Sequence, residues 1–245
     1  KEIKDISDLK KYCKGNESNY LLKSRRFGYD GKNQFKCNTN LDLLENLISD
    51  CACIVEEVVD FTTEVSLVCV RQDDDNIYFY PLIENFHKDG ILRYSRFPYV
   101  NRELQNIAER YGKELLNYFD YVGVLVVEFF VTKDGELVAN EMAPRVHNSG
   151  HWSIEGSSSS QFELHIKAIT NDLNNDLINF KPSVMINILS KYPDNNILKE
   201  LDFHHFHSYE KEERYLRKLG HITITKNKAE QIESILPNYL RVLDN

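Results

Sequence analysis

Apolar positions along the first sixty residues come in short, strand-length runs separated by polar turns, and a helical period appears at 40–49. There Leu41, Leu44, Leu47 and Ile48 recur behind Asn40, a suitable N-cap. Lys1 opens a helix-like segment. Residues 20–23 read as a short strand ending in Lys23, 24–34 as a polar, glycine-bearing loop, 35–37 as a strand, and 53–59 as a strand carrying Ile54, Val55, Val58 and Val59. Residues 64–72 and 77–86 flank the turn-rich Asp73-Asp74-Asp75-Asn76 and predict a hairpin. The longest helix is expected over 101–119, with Leu104, Ile107, Ala108, Tyr111, Leu115 and Tyr118 along one face. A second hairpin is expected from 122–132 and 136–142 through Lys133-Asp134-Gly135, then a helix at 160–169. The polar stretch 171–182 reads as a linker. Strands at 184–189, 203–209 and 221–225 and a helix at 229–236 follow.

Composition narrows the class. The 245 residues are 42% hydrophobic and 28% charged, enough apolar material for a core and too much for a disordered chain. Thirty Lys+Arg against 38 Asp+Glu leave a net charge of −8, a field that disfavours a nucleic-acid backbone. A membrane helix needs about 20 apolar residues, and even the run 122–131 is strand-length and contains Glu128. No membrane or nucleic-acid partner is therefore expected. Five cysteines (13, 37, 51, 53, 69) lack metal-ligand spacing and read as reduced thiols of a cytoplasmic protein. With Lys1 first and no signal peptide, the chain reads as a fragment.

The hairpin at 122–142 carries the sharpest chemical inference. With Asp134-Gly135 as the turn, Lys133 faces Glu136 and the register sets Glu128 opposite Glu141, each among apolar neighbours. Facing like charges and half-buried carboxylates are both unfavourable, and a divalent cation between them removes both objections. The alternative is a slipped register, or two glutamates facing solvent. Magnesium held by one or two carboxylates usually also meets substrate phosphates, which makes a nucleotide the next suspect. Residues 25–34 (Arg-Arg-Phe-Gly-Tyr-Asp-Gly-Lys-Asn-Gln) have the glycines and cations of an anion-binding loop, without P-loop or dinucleotide spacing; a surface turn with scattered charges reads the same way. Lys23 either reaches a phosphate or snorkels. The segment 141–161 is dense in polar groups and aperiodic, as functional loops are. His204, His205, His207 and His221 have no cysteine nearby and read as structural or solvated rather than as zinc ligands.

Three stretches together resemble the 5-(carboxyamino)imidazole ribonucleotide synthases: Leu22 to Gln34, Glu84 to Arg93, and Gly123 to Val131 followed by Asn140-Glu141-Met142-Ala143-Pro144-Arg145-Val146-His147-Asn148-Ser149-Gly150-His151-Trp152. The likeness continues into residues 208–222. These are ATP-grasp enzymes of bacterial and fungal purine synthesis. The resemblance implies an α+β chain: an ATP-grasp domain of two α+β subdomains over 1–182 (nucleotide lid about 1–60, metal and catalytic part about 61–182), then a small β-rich C-terminal domain at 183–245. An N-terminal Rossmann-like domain of the family is absent here. The implied reaction is ATP-dependent carboxylation of 5-aminoimidazole ribonucleotide with bicarbonate through carboxyphosphate, with Mg2+ or Mn2+ as cofactor and a homodimer in the full-length form. ATP contacts are implied for Lys23, Gly28, Tyr29, Asp30, Gly31, Lys32, Asn33, Gln34, Glu56, Glu57, Val58, Val59, Glu64, His87, Asn140 and Glu141. Metal contacts are implied for Glu128 and Glu141, catalytic roles for Arg145, His147, Asn148 and Asp30, and ribonucleotide contacts for Asp30, Lys211 and Arg217. Some positions depart from the family pattern: Phe27, Asn33 and Glu210 stand where Gly is usual, Val146 where Pro is, and Tyr215-Leu216 where Pro-Gly is. Two alternatives remain open: a sister ATP-grasp enzyme (formate-dependent glycinamide ribonucleotide transformylase or biotin carboxylase type), and an ATP-binding fragment without catalysis.

Overall fold

The computed structural model describes residues 1–26, 33–74, 76–173, 178–201 and 204–243. The chain forms two compact units, Lys1–Asp60 with Asp89–Ile91, and Phe61–Lys88 with Leu92–Asn245.

The first unit is a sheet with two helices. Its elements are β1 (Glu2–Ile3), α1 (Ile6–Cys13), β2 (Tyr20–Ser24), β3 (Gln34–Lys36), α2 (Leu41–Asp50) and β4 (Cys53–Glu57), with strand order β1-β4-β2-β3. Asp5 and Asn40 cap the two helices by accepting from the amides of Asp8 and Asp42. Strand alternation puts Leu22, Cys53 and Val55 into one core with Leu9, Cys13, Leu44 and Leu47. Lys23 therefore projects from the opposite face. The strand expected over 53–59 ends at Glu57, and Val58 is exposed.

The second unit is built on a nine-stranded sheet. It comprises β5 (Phe61–Arg71), β6 (Ile77–Phe79), β7 (Ile83–Lys88), β8 (Ile91–Phe97), α3 (Arg102–Tyr118), β9 (Gly123–Thr132), β10 (Leu137–Ala143), α4 (Ser153–Gly156), α5 (Gln161–Ile169), β11 (Ser183–Leu189), α6 (Asn195–Glu200), β12 (His205–Ser208), β13 (Lys218–Thr225) and α7 (Ala229–Leu243). Strand order is β10-β9-β5-β7-β8-β11-β13-β12, with β6 beside β5. The strand expected over 77–86 breaks in two around Pro81, which has no N–H to give a ladder. Helix α7 runs on through Pro237 because Leu236 and Tyr239 are buried against β11 and β13. Helices α4 and α6 are too short for a period to announce them.

Two cores sandwich the sheet. Leu67, Cys69, Leu125, Val127 and Phe129 face α3, whose Leu104, Ala108 and Leu116 are buried on them. Tyr118, expected on that face, is 84% exposed at the helix end. On the other face Val68, Val70, Val124 and Val126 pack with Trp152, Leu164, Ala168 and Met185. Of the stretch read as a linker, Leu173 is buried in this core and Phe180 bridges Ser157. Strand β11 pairs with β8 on one side and β13 on the other, so the sheet continues into the C-terminal residues. Among the described residues, no helix is long and apolar enough to cross a membrane.

Candidate functional site

The sheet face carrying Val68 and Val126 also carries a polar row, and the ladder fixes which residues share it. Glu141 pairs with Glu128 and Glu128 with Ser66. Glu64, two residues from Ser66 and on the same face, pairs with Asn85.

The route to the Glu128–Glu141 pair differs from the expected one. The turn has three residues, with the Gly135 amide bonded to the Thr132 carbonyl, and Leu137 rather than Val138 faces Val131. A bulge at Asn140 then inserts one residue and restores the expected pairing at Glu141. Two irregularities cancel where the carboxylates meet.

The pair is asymmetric. The Glu141 side chain is 59% exposed, whereas Glu128 is buried and its Oε1 has no hydrogen-bond partner. Burial pushes the Glu128 carboxyl up to about 7; His87 opposes this, and Glu141 and Glu64 add to it. Such a group gains most from a nearby cation.

His147 completes the cluster: ligand atoms of Glu128, Glu141 and His147 lie within 4.8 Å of one another. Its role follows from a buried chain of hydrogen bonds that crosses three strands, β8, β7 and β5. Ser95 Oγ donates to Asn85 Oδ1 (2.7 Å), Asn85 Nδ2 to Ser66 Oγ (3.0 Å), and Ser66 Oγ to Ser149 Oγ (2.9 Å). The Ser149 proton is then directed at His147 Nδ1, 2.9 Å away, where the Ser149 amide also points. Nδ1 is thus an acceptor and Nε2 carries the proton, on the side of Glu141. Burial first, then Arg145 and Lys218, hold His147 down to about 3, so the ring is neutral. A neutral imidazole with Nδ1 occupied is a hydrogen-bond donor here, and the two carboxylates are the metal donors.

Glu64 Oε2 lies 3.1 Å from His87 Nδ1. Burial works against a charged His87, but the Glu64 carboxylate prevails and raises its pKa. Asn148 is locked in a reciprocal amide pair with Asn187 (2.9 and 2.6 Å). Arg145 is exposed, with its guanidinium on the Val146 carbonyl. Asn140, the bulge residue, is exposed. Lys211 lies over the Tyr209 ring at 5.0 Å, and Arg217 is half-buried.

Lys218 is the residue the sequence reading missed. An extra residue, Leu219, bulges β13 and leaves Lys218 opposite Leu189, on the face shared by Asn187 and His221. Its charge acts on Glu128, His87, His147 and His151 together. No periodicity signals such a bulge; only the long-range β11–β13 register does.

In the first unit Lys23 Nζ makes a 2.5 Å ion pair with Glu56 Oε2. The two side chains are diagonal neighbours across β2 and β4. Gln34 pairs with Lys23, and Asn33 takes a positive φ of 56°. Glu57 is exposed and Val59 half-buried. Gly28, Tyr29, Asp30, Gly31 and Lys32 lie outside the described residues.

Comparison with known proteins places this architecture. The ATP-grasp domain pattern matches residues 1–162, and that of the phosphoribosylaminoimidazole carboxylase C-terminal domain matches 183–235. The chain belongs to the ATP-grasp family. Within it, the chain is similar to the N5-carboxyaminoimidazole ribonucleotide synthase of Escherichia coli K12, 43% identical over 227 residues, covering 91% of this chain and 62% of that protein. The synthetase from Staphylococcus aureus complexed with ADP superposes with a TM-score of 0.87 at 34% identity, covering 97% of this chain and 65% of that one. The Aspergillus clavatus synthase in complex with ADP and 5-aminoimidazole ribonucleotide gives 0.85 at 26% identity, covering all of this chain and 68% of that one. The chain thus spans about two thirds of these relatives.

Proposed function

We propose that this chain is the nucleotide- and metal-binding part of an ATP-dependent carboxylase that joins bicarbonate, through carboxyphosphate, to the exocyclic amine of 5-aminoimidazole ribonucleotide. The single observation that carries this reading is the buried Glu128 facing Glu141, with a neutral, donor-fixed His147 beside them. Relatives bearing the synthase name, one of them solved with ADP and the ribonucleotide, support it.

The two carboxylates would hold Mg2+ (or Mn2+), which supplies charge neutralisation to the phosphates when bound. By the family resemblance, Lys23, relieved of Glu56, residues 28–34, the 56–59 strand end and Glu64 would each serve as ATP contacts. His147 Nε2–H, with Arg145, would donate to a carboxyphosphate oxygen, a preorganised contact to developing negative charge. Lys211 and Arg217 would meet the acceptor's phosphate. A cytoplasmic setting suits the free thiols, and the full-length protein would be a homodimer.

The test is phosphate release from the full-length protein with Mg-ATP, with and without bicarbonate and 5-aminoimidazole ribonucleotide. The expected outcome is release that needs bicarbonate and is stimulated by the ribonucleotide. Stimulation by formate with glycinamide ribonucleotide, or by biotin, would instead support a sister enzyme. The isolated 245-residue chain is expected to bind Mg-ATP weakly, without ribonucleotide-stimulated release.

A further inference from the structure

Away from the carboxylate pair, the second unit buries another titratable cluster that the proposed chemistry leaves unused. Glu155 on α4 has a side chain only 12% exposed, and its Oε1 lies 2.6 Å from His207 Nε2 on β12. His207 pairs across the ladder with His221, and their rings stack at 4.5 Å and 16°. His221 Nδ1 lies 2.8 Å from Tyr209 Oη, and the Asn148 side chain is close enough to act on that hydroxyl. Lys211 rests on the Tyr209 ring. One line of contacts therefore leads from Glu155 to Asn148 in the candidate site, and to the cationic turn 211–218.

Packing alone does not account for this arrangement. A carboxylate and three imidazoles (the His151 ring is 5.2 Å from His221) hold strands together less well than an apolar cluster of the same volume. Burial holds His151 and His221 down to about 4 and about 3, so both are neutral, and it is His207 Nε2 that contacts the Glu155 side chain. The turn anchored by this cluster is also strained. Glu210 and Leu216 sit at positive φ of 53° and 58°, conformations that persist only where the surroundings enforce them.

We propose that the Glu155–His207 pair is a positioning device: it seats β12 on α4 and, through His221 and Tyr209, holds Asn148 and the 211–218 turn in place for the acceptor ribonucleotide. Neither residue touches substrate in this scheme. The acceptor half rests on the function proposed above, so the test has a readout that does not depend on it.

His207→Phe keeps a stacking ring and removes the pair, Glu155→Ala removes the acceptor, and Glu155→Gln keeps a hydrogen-bonding side chain. Long-range proton–nitrogen NMR of the His221 ring is expected to shift in the first two variants and to stay near wild type in the third. Calorimetry is expected to show 5-aminoimidazole ribonucleotide binding weakened about tenfold or more in His207→Phe and Glu155→Ala. Binding of a magnesium-bound, non-hydrolysable ATP analogue should stay within about twofold, and Glu155→Gln should recover most of the acceptor affinity. Unchanged His221 nitrogens in His207→Phe, or parallel loss of both ligands, overturns the proposal. These titrations use the full-length protein; if its wild-type form binds no ribonucleotide, the functional reading falls, and the His221 shifts alone decide the positioning role.

Discussion

A carboxylate buried on a largely apolar face and opposite a second carboxylate must take up a proton or share a cation, and Glu128 is such a group. Its proton must leave before a metal binds, so magnesium affinity should climb as pH rises through about 7. Calorimetric titrations at mildly acidic and mildly alkaline pH check this. Glu128→Gln should weaken binding by about tenfold or more, as expected of a lost charge-assisted ligand, and should flatten the pH dependence. A variant that binds magnesium as the wild type does would remove the site. His147 gives a second residue-scale prediction. Ser149→Ala deletes the hydroxyl aimed at Nδ1, so nitrogen NMR should show the ring shifting away from a single Nε2–H tautomer; an unchanged tautomer would mean the serine chain does not set it. Both carboxylates and His147 were legible in the sequence. The tautomer was not, because Ser66, Asn85 and Ser95 meet Ser149 only through the sheet.

Elements show why a local reading succeeds with some features and misses others. The cap at Asn40 was visible because an N-cap acts within three residues, and Asn101 and Ser160, read only as helix starts, cap their helices in the same way. The Asn140 and Leu219 bulges were not, because a bulge is defined by the partner strand. The departures from the family's glycines have a structural counterpart: Asn33, Glu210 and Leu216 all retain positive φ. At exposed Glu210 that geometry costs about 1–2 kcal/mol for a side-chain-bearing residue, partly offset by the entropy glycine would lose. Glu210→Gly should therefore raise the melting temperature by about 1–3 °C, and a lower value would mean the side chain has a use the geometry does not reveal. The opposite holds where α3 meets β5. A Cβ on Gly112 would lie 2.5 Å from the buried Cys69 sulfur, so Gly112→Ala should destabilise by about 1–3 kcal/mol, read as a lower urea midpoint.

At the scale of the whole molecule, the alternation of strands and helices was legible, whereas the continuity of one sheet from β10 to β12 was not, since its β8–β11 pairing joins residues about ninety positions apart along the chain. That continuity gathers three histidines, half-buried 147 and 151 and buried 221, into positions where desolvation holds them down to about 3, 4 and 3. Each is neutral when folded and free to take a proton near pH 6.5 when unfolded. Below that pH the unfolded chain binds more protons, so each histidine contributes stability that is present above about 6.5 and lost as pH falls toward its folded value. Glu128 acts in the other direction. Its folded pKa is raised, so its protonated form favours the fold and its contribution declines as pH rises from the usual carboxylate range to about 7. Three groups against one leave a net loss of stability on acidification between about pH 6.5 and 4.5. Urea midpoints measured without divalent cations should fall across that window, and His221→Gln should make the decline shallower. A midpoint that rises on acidification would mean that Glu128 outweighs the three histidines, and that the metal site, rather than the buried imidazoles, sets the acid behaviour of the protein.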